Sequence, residues 1–256
     1  MKAIAIIPAR MRSTRFPGKP MALIHGMPMI GHCFLRTRMC EELLGTYVAT
    51  CDEEIATYIQ SLGGESVMTS DSHTTASDRT AEAMLKIEAD LGEQIDVVVM
   101  VQGDEPMVVP EMIRDALNPF SQDRSVNVVN LMAPIESVEE FEDPNEVKVV
   151  VDKNSDAIYF SREPIPSRRK GSTVVPMRKQ VCIIPFRRDY LLKFNRMPVT
   201  NLERIESVDM MRIVENGQPV RMVPTSVRTF SVDTPADLER VSREMADDPL
   251  RRRYQS

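Results

Sequence analysis

The run Asp96-Val-Val-Val-Met-Val-Gln102 is apolar at every position from Val97 to Val101, without the alternation of a half-exposed strand. Continuous apolarity is what a strand in a parallel sheet needs when helices cover both of its faces. Gly103-Asp-Glu-Pro106 follows at once: glycine permits a tight turn and close backbone approach, and proline stops the strand. The chain opens in the same way. Ala3-Ile-Ala-Ile-Ile7 is a short apolar run that empties into Pro8-Ala-Arg-Met-Arg-Ser-Thr-Arg-Phe-Pro-Gly-Lys-Pro20. Between these two runs the periodicity alternates. Ile30, Cys33, Phe34, Thr37, Cys40 and Leu44 fall at helical spacing after Pro28, and Thr46–Thr50 reads as a strand. Asp52–Leu62 reads as a helix closed by Gly63-Gly64, and Glu65–Met68 as the next strand. Ser77 is placed as the cap of a helix running to about Leu91, with Gly92 behind it. This rhythm predicts a doubly wound α/β fold with a mostly parallel central sheet.

The second half changes character. Glu146–Val151, the turn Asp152–Asp156 and Ala157–Arg162 predict a hairpin. Glu163–Lys179 carries Pro164, Pro166, Pro176 and five cations with little periodicity, which predicts a mobile loop. A strand at Val181–Phe186, two helices, and strands near Val220–Val223 and Arg228–Val232 follow. The last helix spans Thr234–Met245 with Pro235 at its start, and Arg251–Arg253 is expected to fray. Neither an internal repeat nor a low-complexity linker divides the chain, so residues 1–256 read as one domain with an inserted hairpin-and-loop excursion.

Composition narrows the function. With 38 acidic against 32 basic residues and a net charge of −6, no broad basic face is available for nucleic acid. A small anion held in a local basic pocket remains compatible. Cys33, Cys40, Cys51 and Cys182 lack metal-ligand spacing and read as reduced core or near-core thiols. Apolar runs such as Val97–Val101 are too short to span a bilayer, and the opening run stops at Pro8 without a signal-peptide core. A cytoplasmic protein is expected.

Arg10, Arg12, Arg15 and Lys19 lie within ten residues, in a loop stiffened by Pro8, Pro17, Gly18 and Pro20. A solvated basic turn is the plain reading of such a cluster. A rigid cationic loop at the carboxyl end of a buried first strand better suits a polyphosphate. Asp104 emerges at the same edge of the sheet, and Asp233 repeats the arrangement in Phe230-Ser-Val-Asp-Thr-Pro235. Each could be a helix N-cap, the ordinary job of an aspartate there. Two such carboxylates beside a cationic loop favour Mg²⁺, a hard ion that takes oxygen ligands and phosphates. A third group, the stretch from Glu65 to Arg79, is a hydroxyl-rich loop that enters a helix and could read a base or a ribose. His73 reads as a loop-orienting hydrogen-bonder, and His25 and His32 as structural. Neither a nucleophilic triad nor a zinc site is legible.

Ile7-Pro-Ala-Arg-x-x-Ser-Thr-Arg-x-Pro-Gly-Lys-Pro20, Met68-Thr…His73…Asp78-Arg79, Val101-Gln-Gly-Asp-Glu-Pro106, Tyr159-Phe-Ser-Arg-x-Pro-Ile-Pro166 and Val232-Asp-Thr-Pro-x-Asp-Leu238 occur in that order. In this the chain resembles the CMP-Kdo synthetases, the 3-deoxy-manno-octulosonate cytidylyltransferases, from Ile6 to about Glu244. The resemblance implies a three-layer GT-A-like (Rossmann-like) nucleotidyltransferase, dependence on CTP and Mg²⁺, and homodimerisation through the second half. Residues 1–135 and 220–246 would form the nucleotide core, and 140–219 the acid-binding and dimerisation part. Arg10, Lys19, Asp104 and Asp233 would carry catalysis, with both aspartates on the metal. Ala9, Arg10, Ser13, Arg15, Lys19, Thr75, Ser77, Arg79 and Gln102 would meet the nucleotide. Arg162, Gln180, Glu203 and Met210 would meet the acid.

The departures concentrate on the acid side. Where the family reads Ser-Gly-Thr-Asp/Glu-Arg, this chain has Thr75-Ala-Ser-Asp-Arg79, and the Ala76 methyl narrows that turn. Where the family reads His-x-Gly-x-Tyr-x-Tyr-Arg, the chain has Gln180-Val-Cys-Ile-Ile-Pro-Phe-Arg187, and Glu-Gln-Leu-Arg becomes Asp209-Met-Met-Arg212. The His and Gln of the sugar site thus become Gln180 and Met210, and sites that read hydroxyls discriminate through such pairs. The expected reaction joins CMP from CTP to a small acid and releases pyrophosphate. Kdo is the acceptor the family implies. A different 2-keto-3-deoxy acid (an amino-Kdo or a nonulosonate) and a small phosphonate are the alternatives. A sugar transferase lacks its Asp-x-Asp motif here, and a catalytically silent nucleotide binder would turn over no acid.

Overall fold

Strand β1 (Ala3–Pro8) is buried along almost its whole length and pairs in parallel with a strand on each side. The computed structural model describes residues 1–12, 15–171 and 175–255; Ser13, expected at the nucleotide, lies outside them, as do residues 172–174. After β1 come β2 (Leu23–Ile24), β3 (Met27–Pro28), α1 (Met29–Arg38), β4 (Gly45–Thr50), α2 (Glu53–Ser61), β5 (Glu65–Met68), α3 (Ala76–Leu91), β6 (Val97–Val101) and α4 (Pro110–Gln122). The second half holds β7 (Val129–Pro134), α5 (Val138–Glu142), β8 (Lys148–Val151), β9 (Ala157–Ser161), β10 (Arg178–Val181) and β11 (Ile183–Arg187). Helices α6 (Arg188–Arg196), α7 (Asn201–Glu206) and α8 (Met210–Glu215), strand β12 (Arg221–Pro224) and helix α9 (Pro235–Glu244) complete it.

The first sheet has the order β11-β6-β1-β4-β5, in which β6, β1, β4 and β5 are parallel and β11 is antiparallel to β6. Ala3, Ala5 and Ile7 of β1 and Val97, Val99 and Val101 of β6 pack under α1, α2 and α4. Ile4, Ile6, Val98 and Met100 pack on the opposite face with α3, α6 and α8. Both faces are therefore dry, and the unbroken apolar runs follow from that. β1 and β6 are neighbours although the chain leaves β1 in the other direction, toward β4. This reversal of strand order is the place where ligands bind in open α/β sheets. The second sheet, β12-β7-β10-β8-β9, contains the expected hairpin as β8 and β9. No helix among the described residues is long and apolar enough to cross a membrane.

Several local expectations are corrected. The cap of α3 is Thr75, whose Oγ1 accepts from the Asp78 amide at 3.1 Å, and Ser77 is already helical. The single strand expected at Val181–Phe186 is two: β10 belongs to the second sheet and β11 to the first, with Cys182 between them. Arg178 and Lys179 leave the expected loop and enter β10, and the buried Lys179 ammonium binds Glu140 at 2.7 Å and Glu146 at 3.1 Å. Three helices, α6 to α8, stand where two were expected. Arg228–Val232 joins neither ladder among the described residues; the Val232 amide donates instead to the Asp104 carbonyl at 3.0 Å. The tail does not fray. Arg251 donates to the Met245 carbonyl at 2.9 Å, and Tyr254 meets His32 at 2.7 Å.

Candidate functional site

The carboxyl ends of β1 and β6 open into a cavity of about 300 Å³ lined by the cationic loop, the start of α3, Gln102 to Asp104, and Asp233. Gly103 allows the two strand ends to meet, since a Cβ there would lie 3.0 Å from the Pro8 carbonyl oxygen. Met11 in the loop donates its amide to Asp52 Oδ2 at 2.8 Å, so a residue at the α2 cap position ties down the loop instead of capping the helix. Gly18, at φ 73°, turns the chain into the 3-10 turn Lys19–Met21 and donates to the Met11 carbonyl at 3.0 Å.

Three cations of the loop reach three walls. Arg10 donates to the His73 carbonyl at 3.2 Å, while His73 is itself held by Glu82. Arg15 donates to Asp233 Oδ1 at 3.0 Å and to Asn145 Oδ1 at 3.1 Å. Lys19 Nζ donates to Asp104 Oδ2 at 2.9 Å, the Val232 carbonyl at 2.7 Å and Asp233 Oδ1 at 3.4 Å. Burial penalises the Lys19 ammonium, but attraction to Asp104 and Asp233 outweighs it and raises its pKa above the ordinary lysine value. Neither aspartate caps a helix. Thr234 and Asp237 form the capping box of α9 and leave the Asp233 carboxylate to the cavity. Asp104 lies ahead of α4, which starts at Pro110, and its Oδ1 is buried with no hydrogen-bond partner among the described residues. A buried, unpartnered carboxylate oxygen facing a phosphate-sized cationic cavity fits a hard divalent ion.

Arg79, at the start of α3, borders the same cavity. Arg79 is buried, its NH1 meets Thr69, and its NH2 has no hydrogen-bond partner among the described residues. An orphaned donor in the cavity wall suits an acceptor-bearing base edge.

A second cavity of about 610 Å³ shares Arg15, Thr75, Gln102, Asp104 and Asp233 with the first and continues toward Asn145, Arg162, Gln180, Glu203 and Asp209. The Arg162 guanidinium is largely occupied, donating to the carbonyls of Glu206 at 2.7 Å, Pro144 at 2.8 Å and Ser207 at 3.3 Å. It clamps the end of α7 to the loop before β8. Glu203 pairs with Arg212 and closes the cap of α7 through the Thr200 amide at 3.2 Å. Gln180 is oriented by Asn130, a wholly buried residue of β7. Asn130 Nδ2 donates to the carbonyls of Leu131 at 3.0 Å and Val181 at 2.7 Å. Carbonyls only accept, so Asn130 Oδ1 must face Gln180 and takes one of its amide protons at 2.6 Å. Asp209, half-buried in the cavity wall, is pushed up to about 6 by burial and by the charge of Glu203.

Of the expected nucleotide residues, Ala9, Arg10, Arg15, Lys19, Thr75, Arg79 and Gln102 line the first cavity together with Asp104 and Asp233. Ser77 lines neither cavity: it is buried inside the first turn of α3, its carbonyl accepting from Asn195 at 2.9 Å. Arg162, Gln180 and Glu203 line the second cavity. Met210 does not. It is fully buried in the apolar layer beneath α8, and Asp209 one residue earlier takes the place at the wall. The sequence reading missed Asp52, Glu105, Asn130 and Asn145, whose roles rest on partners far along the chain, and Asp209, which the start of α8 brings to the cavity wall. Glu105 alone carried a local signal, its place beside Asp104.

Residues 4–243 match the family model described as cytidylyltransferase. A 3-deoxy-manno-octulosonate cytidylyltransferase of Geobacter metallireducens is 43% identical over 256 residues, covering 96% of this chain and 98% of the relative. One from Solibacter usitatus is 41% identical over 242 residues, covering 94% of each chain. A solved CMP:2-keto-3-deoxy-manno-octonic acid synthetase complexed with CTP superposes with a TM-score of 0.88 at 36% identity, covering 97% of this chain and 100% of the other. A cytidylyltransferase from Leptospira borgpetersenii, at 16% identity and a TM-score of 0.64, shares the fold.

Proposed function

This chain belongs to the family of 3-deoxy-manno-octulosonate cytidylyltransferases, and we propose that it transfers CMP from CTP to Kdo or a closely similar 2-keto-3-deoxy sugar acid, releasing pyrophosphate. The observation that carries this reading is the shared wall of the two cavities. Arg15, Asp104 and Asp233 border both, so a nucleotide in one and an acid in the other meet at the carboxylate pair.

CTP lies in the first cavity with its phosphates on Arg10, Arg15 and Lys19 and its base at Arg79. A hydroxyl oxygen of the acid attacks the α-phosphorus and gives up its proton to water; a new P–O bond forms, and the bond to pyrophosphate breaks in line with it. The three cations stabilise the charge on the departing pyrophosphate, and the second cavity orients the acid. Asp104 and Asp233 are the residues that would hold Mg²⁺, which when bound neutralises phosphate charge. Lys19 keeps the two carboxylates together until then.

We further place the enzyme in the cytoplasm, where free thiols such as those of Cys33 and Cys182 persist. We infer a homodimer through the second half, as the family resemblance implies, with the exposed Ile158 of edge strand β9 and Ile205 of α7 as its candidate contacts. Light scattering after size exclusion tests that, and a monomer at micromolar concentration removes it. The primary test is pyrophosphate release from CTP, with and without Mg²⁺, across Kdo, amino-Kdo, a nonulosonate and a small phosphonate. Mg²⁺-dependent release with Kdo supports the reading as stated. Release with a different acid alone moves the acceptor assignment to that acid, and silence with all of them removes the activity.

A further inference from the structure

Glu105 is almost wholly buried, at 3% exposure, although it follows the cavity residue Asp104 directly. A buried carboxyl is costly unless its oxygens are engaged, and both oxygens here reach groups from distant parts of the chain. Oε1 accepts from the Cys182 amide at 3.1 Å, and Oε2 meets Thr229 Oγ1 at 3.4 Å. Cys182 is the residue at which the chain passes from β10 in the second sheet to β11 in the first. Its carbonyl is bound as well, accepting from the Gln102 amide at 3.0 Å. The Gln102–Glu105 turn thus grips Cys182 by both backbone groups. Thr229 begins the segment that ends at Asp233, and the Val232 amide in that segment donates to the Asp104 carbonyl at 3.0 Å.

We propose that Glu105 is a positioning residue for cytidylyl transfer: its buried carboxyl joins the turn bearing Asp104, the sheet crossing beside Gln180 and the segment bearing Asp233. It thereby holds the nucleotide and acid cavities in register. This rests on the cytidylyl-transfer reading of the two cavities. Removing the joint leaves the Cys182 amide without its acceptor at the edge of the second cavity and frees the crossing to shift. Near-ångström displacements of reacting groups cost on the order of a hundredfold in rate. What the joint requires of residue 105 is a hydrogen-bond acceptor at Oε1, and the carboxamide of glutamine supplies one.

The test compares Glu105→Ala and Glu105→Gln by two readouts. Amide hydrogen exchange at Cys182 is read on the protein alone, without turnover. Glu105→Ala is expected to lose protection there, and Glu105→Gln to keep it. In steady-state pyrophosphate release with the acid that turns over, Glu105→Ala is expected to lower kcat by roughly a hundredfold. Its KM for CTP is expected to change less than kcat, because the cationic loop keeps ties outside the joint, Arg10 to the His73 carbonyl and the Met11 amide to Asp52. Glu105→Gln is expected to recover most of kcat. Unchanged Cys182 exchange in Glu105→Ala overturns the proposal, as does a parent-like kcat in that variant. A Glu105→Gln enzyme as inactive as Glu105→Ala, with Cys182 protected, also overturns it and assigns the carboxyl a direct chemical role. Absence of turnover in the parent protein falls on the cytidylyl-transfer reading instead, and the exchange measurement then still decides whether the joint exists.

Discussion

Lys19 holds two carboxylates, Asp104 at 2.9 Å and Asp233 at 3.4 Å, that would otherwise repel one another across the cavity. Asp104 is the more exacting of the pair, because one of its oxygens is buried and unpartnered. Replacing it with asparagine keeps the shape and an acceptor for Lys19 but removes the charge that phosphate-bound Mg²⁺ would need. Asp104→Asn is expected to lower kcat for pyrophosphate release by at least about a hundredfold. The melting curve should stay close to that of the parent, and an active variant would remove the metal assignment. Asp209 makes a separate prediction about pH. Burial raises its folded pKa from the ordinary aspartate value, about 4, to about 6, so between these limits the folded form holds the extra proton. Stability contributed by that proton is present below about pH 4 and is lost as pH rises through about 6. Asp209→Asn should therefore melt higher than the parent at pH 7.5, and the two curves should converge near pH 4. A difference that is independent of pH would mean that Asp209 is not penalised by burial.

At the level of elements, caps decide where functional side chains are left free. Thr234 and Asp237 satisfy the start of α9 reciprocally, which releases Asp233 from the cap duty that was its plain alternative. Thr234→Ala should cost about 1 kcal/mol in urea unfolding. It should also reduce turnover, because an uncapped α9 competes with Lys19 for the Asp233 carboxylate; stability loss with full activity would deny that competition. Features of this local kind were legible in the chain. Continuous apolar runs marked β1 and β6, Gly92 marked the end of α3, and the turn Asp152–Asp156 between two strand-like runs marked β8 and β9. The two apolar runs put Asp104 and the cationic loop on one edge before any geometry was known; Asp233 reaches the same cavity although the strand expected ahead of it does not form. What stayed hidden depends on contacts remote in sequence. Val181–Ile184 is uniformly apolar enough to read as one strand, and only Glu105, 77 residues away, takes the Cys182 amide out of the ladder. Met210 sits at the family's polar position, yet the apolar face of α8 carries it inward and leaves Asp209 at the wall. Periodicity reports which face of a helix is dry; it does not report where that helix begins relative to a cavity.

Across the whole molecule, the C-terminal segment closes the structure over the helix that follows the cationic loop. Arg36 of α1 is 2% exposed, pairs with Asp248, and donates to the carbonyls of Val108 at 2.6 Å and Met107 at 3.4 Å. Those carbonyls follow Asp104, Glu105 and Pro106 directly, so one guanidinium links the tail to the turn that bears the site. His32 on the same helix is pushed down to about 4, chiefly by burial, and is neutral at pH 7. Its Nε2 lies 2.9 Å from the Ile24 carbonyl, which can only accept, so Nδ1 must accept from the Tyr254 hydroxyl at 2.7 Å. Deleting residues 247–256 removes both Asp248 and Tyr254, leaving a buried guanidinium without its counter-charge and a buried imidazole nitrogen without its donor. Breaking a buried ion pair from one side costs about 3–5 kcal/mol. For a chain of this size that corresponds to a fall in Tm of roughly 10 °C. Asp248→Asn keeps a polar partner for Arg36 and Tyr254 for His32, and should lie between the parent and the truncated protein. Because Arg36 also anchors Met107 and Val108, the truncated protein should lose kcat even well below its own Tm. Differential scanning calorimetry with a rate measurement about 15 °C below the lower transition separates the two effects. A truncated protein that melts lower but turns over normally when cold would confine the tail to stability. One that melts with the parent would show that Arg36 is satisfied by the carbonyls alone.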